Sequence, residues 1–251
     1  MTSNLFIGSV CIRLERVDSS NNYARELIRD KMPIEGTVIV ANEQFSGRGQ
    51  RSNTWYSEPK SSLTCSYILR PVFLAAKDQF ILSAAVALAV YETVAVILPK
   101  SDVRIKWPND ILVDGKKIAG ILIENTLRRS NLETSIVGIG LNVNQMKFPS
   151  ELNATSIQLN TNSETDLNLI MEELSTRLEK YYLRIREGSF DPLLKRLNEN
   201  LFGVGESMKL AINGTQQTVT VKGVRHTGEL ELEHADMRRT LHQHHEIGWS
   251  L

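Results

Sequence analysis

The sequence predicts an α+β fold: a mixed β-sheet flanked by helices, followed by a small antiparallel β-barrel or sheet. Strand-like and helical segments occur without strict βαβ alternation, which argues against a doubly wound parallel sheet. From residues 203–205 onward, short strand-like segments are separated by glycine-containing turns. This change indicates a separate antiparallel unit. We therefore predict a larger unit over residues 1–203 and a smaller one over residues 204–251.

The first part of the chain predicts strands around one helix. Residues 12–17 alternate apolar and charged side chains, as a strand does. Ser19 or Ser20 can accept a free backbone N–H and cap a helix over 21–31, which Pro33 ends. Further strands are predicted where β-branched and apolar residues cluster, over 37–41 and 62–69.

The middle of the chain predicts one long helix and a hairpin. Residues 75–98 form an apolar helical stretch that Pro99 closes. Asp114-Gly115 is a hairpin-turn signal, because glycine tolerates a positive φ. Strands are predicted over 103–107, 111–113, 117–124 and 134–143.

Two helices and a run of strands complete the prediction. Asp166 is a predicted N-cap, and apolar residues recur at helical spacing from Leu167 to Ile185. Another helix is expected over 190–200. The strand-like runs of the smaller unit are 207–212, 217–224, 229–233 and 241–247.

Composition excludes several classes of protein. Of the 251 residues, 41% are apolar and 23% are charged, so the chain can bury a core. Lys plus Arg and Asp plus Glu both number 29, which gives a formal net charge of zero. Nucleic-acid binding proteins usually carry a basic excess, so we expect no nucleic-acid partner.

The location of the protein is predicted from what the sequence lacks. Cys11 and Cys65 are too few for a disulfide framework, and their spacing fits no zinc site. Residues 1–9 show no secretory signal. Glu92 interrupts the most apolar segment, 80–98, so we interpret that segment as a buried helix and expect no membrane contact. The expected location is cytoplasmic.

A glycine-rich basic loop, residues 47–55, is the first candidate for ligand chemistry. Its glycines allow close backbone approach to a ligand, and Arg48 and Arg51 can stabilise a phosphate or carboxylate. The glycine spacing matches neither a dinucleotide fingerprint nor a P-loop. A solvated basic turn is the alternative interpretation.

Two lysines near strand ends are the next candidates. Lys106 stands beside Trp107 and Pro108, where partial burial would strengthen its interaction with phosphate oxygens. Asp110 is a candidate Mg²⁺ ligand, or an ordinary turn residue. Lys117 enters an apolar strand, where it needs an anionic partner unless its ammonium group reaches water.

The segment 138–144 combines strand glycines with Asn142, whose amide can both donate and accept hydrogen bonds. Tight strand packing is the alternative. His242, His244 and His245 lack a cysteine or carboxylate at ligand spacing, so a surface strand is preferred to a metal site.

Taken together, these segments resemble the biotin protein ligases from about residue 12 to the C-terminus. The resemblance rests on the order of five elements. They are Asp18-Ser19-Ser20-Asn21-Asn22-Tyr23, Gln44 with Gly47-Arg48-Gly49, Lys106-Trp107-Pro108-Asn109-Asp110, Lys117-Ile118-Ala119-Gly120-Ile121-Leu122-Ile123-Glu124, and Gly138-Ile139-Gly140-Leu141-Asn142-Val143-Asn144.

The resemblance implies a fold and an activity. The fold is similar to the catalytic domain of class II aminoacyl-tRNA synthetases, followed by an SH3-like barrel. The implied activity is a two-step ligation with Mg²⁺. Biotin and ATP form biotinyl-5′-adenylate, and biotin then passes to a lysine of a biotin carboxyl carrier protein or domain.

The resemblance also assigns residues. Catalysis is expected of Arg48, Lys106, Asp110 and Lys117. Biotin contacts are expected of Ser19, Ser20, Asn21, Gln44, Arg48, Gly49, Gln50 and Lys117. ATP contacts are expected of Arg48, Arg51, Trp55, Lys106, Asn109, Lys117 and Asn142. Asp110 is the one candidate Mg²⁺ ligand, and helping to deprotonate the acceptor lysine is its alternative role.

The sequence departs from the family pattern in the loop. Many members read Gly-Arg-Gly-Arg-x-x-Arg-x-Trp, whereas this chain has Gln50 at the second arginine position and Asn53 at the third. Because Gln50 carries no charge, we expect weaker retention of the adenylate, for which Arg51 is placed to compensate. About 18 residues precede Ser19, so we expect a monofunctional ligase without a DNA-binding domain.

Other functions are kept as alternatives. A lipoate or octanoate protein ligase is related in fold and chemistry, but its substrate has no ureido ring. A non-catalytic biotin-binding regulator is the alternative from another class. A homodimer through a sheet edge is compatible with the resemblance.

Overall fold

The computed structural model describes residues 4–50 and 53–249. The helices are α1 (Ser20–Lys31), α2 (Gln79–Ile97), α3 (Ile157–Thr161), α4 (Leu167–Arg186) and α5 (Phe190–Glu199). The strands are β1 (Cys11–Leu14), β2 (Val38–Ala41), β3 (Ser62–Leu69), β4 (Val103–Lys106), β5 (Asp110–Val113), β6 (Lys116–Arg128), β7 (Asn131–Asn142), β8 (Ser207–Ile212), β9 (Thr215–Val224), β10 (Leu230–Glu233), β11 (Arg239–His242) and β12 (Ile247–Trp249).

Seven strands form a mixed sheet in the order β1-β2-β3-β7-β6-β5-β4. β1 and β2 are parallel, whereas the other neighbouring pairs of this sheet are antiparallel. Asp114 and Gly115 both adopt positive φ in the turn between β5 and β6, as the sequence predicts. The predicted mixed sheet with flanking helices is confirmed.

Helices cover both faces of the sheet because alternate strand residues point to opposite sides. On one face, Ala24 of α1 packs against Ile39, Ile68 and Ile136. On the other face, strand residues such as Tyr67 join α2 and α4 in a larger core. The functional residues at the start of α1 are therefore held directly against the sheet.

The long apolar helix is part of that core. The segment Ala76–Ile97 is long and apolar enough to cross a membrane by length and composition, but 67% of its most apolar window is buried within the protein. The interpretation of this segment as a buried helix is confirmed.

Glu92 of α2 is a buried carboxylate surrounded by cations. Its side chain is 7% exposed and accepts hydrogen bonds from Arg177 at 3.0 Å and Tyr181 at 2.6 Å, while Lys180 and Arg196 also contact it. Burial by itself raises the pKa of Glu92, but Tyr181 and the cations outweigh it and leave the pKa below its usual value. The carboxylate thus ties together α2, α4 and α5.

We expect Glu92→Gln to lower the free energy of unfolding by about 2 kcal/mol near neutral pH, because the cations lose their buried partner. A lowered folded-state pKa adds stability above the unfolded pKa, and that stability is lost as the pH falls through the folded pKa. In urea unfolding, the difference in free energy of unfolding between the wild type and Glu92→Gln should therefore become smaller as the pH falls. Glu173→Gln is the matched control, since Glu173 pairs with Arg177 at a more exposed position. Equal losses for both variants would contradict the prediction.

The C-terminal strands form a second, five-stranded antiparallel sheet in the order β11-β10-β9-β8-β12. The predicted small antiparallel unit is confirmed, and an SH3-like arrangement is compatible with it. The single strand expected over 241–247 is wrong. Glu246 donates its backbone N–H to Gln243 O and accepts the Gln243 N–H through its side chain, so a turn separates β11 from β12. His244 lies in this turn and not on a strand face with His242.

The two sheets are joined by side-chain contacts and by one continuous core. The Trp107 indole donates to Gly228 O at 3.0 Å, and Asn198 pairs with both backbone groups of Val224. His226 contacts Asp78 at 2.6 Å. Apolar residues of both sheets belong to the same buried cluster. The boundary at 203/204 stays a prediction.

Candidate active site

The beginning of α1 supplies three buried polar residues. Ser19, Ser20 and Asn21 are between 2% and 4% exposed, although each carries a polar side chain. Ser19 occupies the predicted N-cap position, but its hydroxyl makes no capping hydrogen bond. Gln44 accepts the Ser20 backbone N–H at 2.7 Å through Oε1. These groups line one cavity.

A fully buried serine on β3 connects these groups. Ser66 Oγ lies 2.7 Å from Ser20 Oγ and 2.6 Å from Asn21 Oδ1. Ser66 is not among the site residues predicted from the sequence. The signal was nevertheless present, because Ser62, Thr64 and Ser66 are polar at alternate positions of a strand and therefore share a face.

The floor of the cavity is a pair of glycines. Gly120 of β6 and Gly140 of β7 are cross-strand partners. A Cβ on Gly140 would overlap the Trp55 indole, and one on Gly120 would lie 3.1 Å from it. The strand glycines are therefore explained by the close approach of Trp55, and Gly138 makes similar room for Asn21.

The basic loop is a small hairpin folded over this floor. The backbone N–H of Trp55 donates to Gly47 O at 3.0 Å, and the backbone N–H of Gly49 donates to Asn53 O at 2.8 Å. Arg48 lies 2.9 Å from Asn22 Oδ1 and 3.2 Å from Glu124, so it is not a freely solvated turn residue. Arg51 lies outside the described residues.

A carboxylate between two lysines forms the charged wall of the cavity. Lys117 Nζ lies 2.6 Å from Asp110 Oδ1, and Lys106 Nζ lies 3.6 Å from Asp110 Oδ2. Lys117 also lies 5.7 Å from the Trp55 ring centroid, within cation–π range. The anionic partner that an inward lysine requires is therefore Asp110.

Burial lowers the pKa of Lys106, with a further contribution from Lys117, and Asp110 opposes the shift only in part. Lys106 acts as a cation only while protonated, so its charge should be lost at a lower pH than that of an ordinary lysine. We expect any activity that needs this charge to fall early on the alkaline side in the wild type and at higher pH in Lys106→Arg, because arginine stays charged. The pH profile of that activity measures this. An unmoved alkaline limb would exclude Lys106 as its cause.

The described residues do not make a protein-only metal site. Among residues 4–50 and 53–249, no three His, Cys, Asp or Glu side chains are grouped to hold a metal ion. Asp110 is already paired with two ammonium groups, and Mg²⁺ bound through one carboxylate also needs substrate phosphates as ligands. Asp110 alone therefore does not fit a resident Mg²⁺.

A second cavity begins on the other side of Trp55 and Lys117, which line both cavities. Asn142 lies in it, 3% exposed, and donates its amide to Thr155 O at 3.0 Å. The Asn142 Oδ1 is buried and has no hydrogen-bond partner among the described residues. An unpaired buried acceptor costs free energy until a donor reaches it, so Asn142 Oδ1 is available to a donor group in this cavity.

The structure brings most of the predicted residues together. The first cavity is lined by Ser19, Ser20, Asn21, Gln44, Arg48, Gly49, Gln50, Trp55, Asn109, Asp110 and Lys117. Lys106 lies behind Asp110 and lines neither cavity. The Asn109 side-chain amide donates to Ile121 O at 2.8 Å, so this contact joins Asn109 to strand β6.

The comparison with known proteins identifies the family. The profile of the biotin/lipoate A/B protein ligase family matches residues 14–142, just over half of the chain. The chain belongs to this family. The matched span contains every residue that the sequence analysis assigned to the site, and the resemblance stated from the motifs is confirmed.

Members of the biotin/lipoate A/B protein ligase family are similar to the chain over most of its length. The bifunctional ligase/repressor BirA of Bacillus spizizenii is 35% identical, over 83% of this chain and 65% of the relative, so the chain spans less than two thirds of that protein. A biotin–[acetyl-CoA-carboxylase] ligase of Paracoccus denitrificans is 29% identical, over 87% of this chain and 92% of the relative. The solved structure of the Aquifex aeolicus biotin protein ligase in complex with biotin and ATP has a TM-score of 0.80, is 26% identical and covers 96% of this chain and 98% of its own.

Proposed function

We propose that this chain is a biotin protein ligase, which activates biotin with ATP and transfers it to a lysine of a carrier protein. The observation that carries the proposal is the pair of cavities that meet at Lys117 and Trp55. One cavity is built for a polar ring and the other for a group with an N–H donor. The cation between them is where a carboxylate and a phosphate would meet.

The first cavity has hydrogen-bonding groups that suit a ureido ring. Gln44 Oε1 is occupied by the Ser20 N–H, so its remaining side-chain group, Nε2, is a donor. Asn21 and Ser20 supply oxygens, and a ureido ring offers two N–H donors and one acceptor. A lipoyl or octanoyl group could not pair with the Gln44 Nε2 donor, and a buried donor left unpaired costs about 1–3 kcal/mol. The cavity therefore favours biotin over the substrates of the sister ligases.

The charges of the site suit adenylation. A biotin carboxylate oxygen attacks the α-phosphorus of ATP and pyrophosphate leaves, so two anionic groups must come together. Lys117 stabilises both groups and the charge that develops between them. In the second step the amine of the acceptor lysine attacks the acyl carbon and AMP leaves. Asp110 is placed among these groups to take up the proton of the acceptor ammonium.

The second cavity suits the adenosine. The unpaired Asn142 Oδ1 offers an acceptor that an exocyclic adenine amine can use. Arg48 and the proposed Arg51 contact would neutralise the α-phosphate, and the loop would exclude water from the reactive anhydride. The Mg²⁺ requirement is inferred only from the family resemblance.

The acceptor is proposed to be a biotin carboxyl carrier protein or domain of acetyl-CoA carboxylase or another biotin-dependent carboxylase. Support comes from the Paracoccus denitrificans relative, which is a biotin–[acetyl-CoA-carboxylase] ligase. A cytoplasmic location is proposed with it, and the two free cysteines are consistent with a reducing compartment.

Acid-dependent ATP–pyrophosphate exchange tests this function. Purified protein is incubated with ATP and Mg²⁺, and the exchange rates in the presence of biotin, lipoate, octanoate and no acid are compared. Exchange with biotin alone is the expected result. Exchange with lipoate or octanoate would move the chain to the sister activity. A folded protein that binds biotin without any exchange would favour the non-catalytic regulator.

Gln50 tests the loop, because it lines the cavity at a position where many relatives have arginine. We expect Gln50→Arg to slow the release of biotinyl-adenylate by roughly tenfold, since a charge-assisted contact is about twice as strong as a neutral one. Stopped-flow or filter-binding release of the isolated intermediate measures this. Asn53→Arg, at the other departure in the loop, is the matched comparison. An unchanged release rate for Gln50→Arg would mean that residue 50 does not contact the intermediate.

A further inference from the structure

Glu124, at the end of the apolar part of β6, joins three elements around the first cavity. Its carboxylate accepts from Asn21 Nδ2 at 2.8 Å and from Arg25 Nη2 at 2.6 Å. Arg48 of the loop lies 3.2 Å from it. One side chain on the sheet therefore contacts both α1 and the loop.

This carboxylate fixes the orientation of the Asn21 amide. An ionised carboxylate only accepts hydrogen bonds, so Asn21 must present its NH₂ group to Glu124 and its oxygen to Ser66. Because Asn21 Oδ1 also only accepts, the Ser66 hydroxyl must donate to it. Ser66 Oγ also lies 2.7 Å from Ser20 Oγ, so the hydroxyl group that Asn21 contacts also contacts Ser20. Glu124, together with the longer contact of Asn21 Nδ2 to Leu122 O at 3.4 Å, thus sets which way the Asn21 amide faces.

The same carboxylate holds the loop. Arg48 is 40% exposed at its side chain, and its contacts are Asn22 on α1 and Glu124 on β6. Both partners lie outside the loop, so they place the guanidinium over the cavity before any ligand arrives. A pre-placed cation loses less entropy when an anion binds.

We propose that Glu124 is a positioning residue, which orients Asn21 for a ligand N–H group and holds Arg48 for the phosphate of the intermediate. The proposal rests on the proposed biotin ligase function. It assigns Glu124 no contact with substrate. Its two effects act through different residues and are separable by experiment.

Glu124→Ala and Glu124→Gln distinguish the two effects. The alanine variant removes the 2.8 Å acceptor of the Asn21 amide and leaves it only the longer contact with Leu122 O at 3.4 Å, so we expect the biotin dissociation constant to rise roughly tenfold. It should also release the intermediate faster, by about fivefold. Glutamine can still accept from Asn21 but cannot neutralise Arg48. We therefore expect Glu124→Gln to restore biotin affinity to within about threefold while intermediate release stays fast.

Arg25→Gln is the matched control, because it breaks an ion pair of Glu124 and Arg25 contacts neither Asn21 nor Arg48 directly. It also removes a 3.0 Å hydrogen bond to Asn22, whose contact with Arg48 stays in place. It should change neither readout by more than about twofold. If Arg25→Gln behaves like Glu124→Ala, then Glu124 only fastens α1 to the sheet and the proposal fails. It also fails if Glu124→Ala lowers the melting temperature but leaves biotin affinity and intermediate release unchanged.

Limited proteolysis of the ligand-free protein tests the role of Glu124 independently of the proposed ligase activity. Trypsin cleaves after Arg48, so the rate of cleavage in the ligand-free protein reports on how firmly the loop is held. Glu124→Ala should be cut several-fold faster than wild type and Arg25→Gln should not. Absence of exchange with biotin in the wild type would refute the ligase function, whereas equal cleavage rates would refute the holding of Arg48.

Discussion

Lys117→Met should lower the rate of the proposed biotin adenylation by about 10³-fold, because the site loses the cation that we propose lies between the two anionic reactants. Methionine keeps an unbranched side chain against the Trp55 ring, so the variant tests charge and not packing. Removal of Lys117 also leaves Asp110 with only the more distant Lys106. The uncompensated carboxylate would repel both the biotin carboxylate and the phosphate.

The neighbouring Lys116→Met is the control for this loss of charge. Lys116 is exposed on the same strand, and Lys116→Met should retain activity within about twofold because an exposed charge is screened by water and salt. The measurement is single-turnover formation of biotinyl-adenylate with both substrates saturating. A Lys117→Met enzyme that adenylates at the wild-type rate would remove Lys117 from the mechanism.

Gly140→Ala should lower kcat/KM by about 10²-fold, because its new methyl group takes the space of the Trp55 indole. Gly140 has no positive φ, so the substitution introduces a packing conflict and no backbone strain. The displaced indole would move the loop and Lys117 together. Overpacking of this kind should also reduce the free energy of unfolding by about 1–3 kcal/mol.

A double-mutant cycle with Trp55→Ala tests the cause of this effect. When the indole is absent, Gly140→Ala should cost little further stability, so the two effects should be far from additive. Gly120→Ala is the graded comparison, since its Cβ would lie 3.1 Å from the indole and the conflict is milder. Additive stability losses in the cycle would show that Gly140 matters for something other than Trp55.

The sequence predicted the site best where charged residues lie at the ends of apolar strands. Lys106, Asp110 and Lys117 were predicted from charged residues at the ends of apolar strands, and the structure places the three side chains together. Glu124 was quoted in a motif without a role, because its partners are about 76 to 103 positions away and only sheet pairing brings them near.

Other features were missed because the local pattern was ambiguous. Ser66 resembles any polar residue on a half-buried strand until its neighbours across space are known. Residues 241–247 were predicted as one short strand, but the side chain of Glu246 satisfies the Gln243 N–H locally and a turn forms instead. In both cases a specific hydrogen bond, and not the periodicity of the sequence, determines the local structure.

The continuous core beneath the two sheets limits how substrates can enter. If the C-terminal sheet swung away, it would expose buried apolar side chains and break the Trp107–Gly228 and Asn198–Val224 hydrogen bonds. The loop over the cavity is instead held by short hairpin contacts and half-exposed ion pairs, which water can replace at little cost. We therefore expect substrates to enter past the loop, while the described parts of the two sheets, which share one core, move together as a single frame.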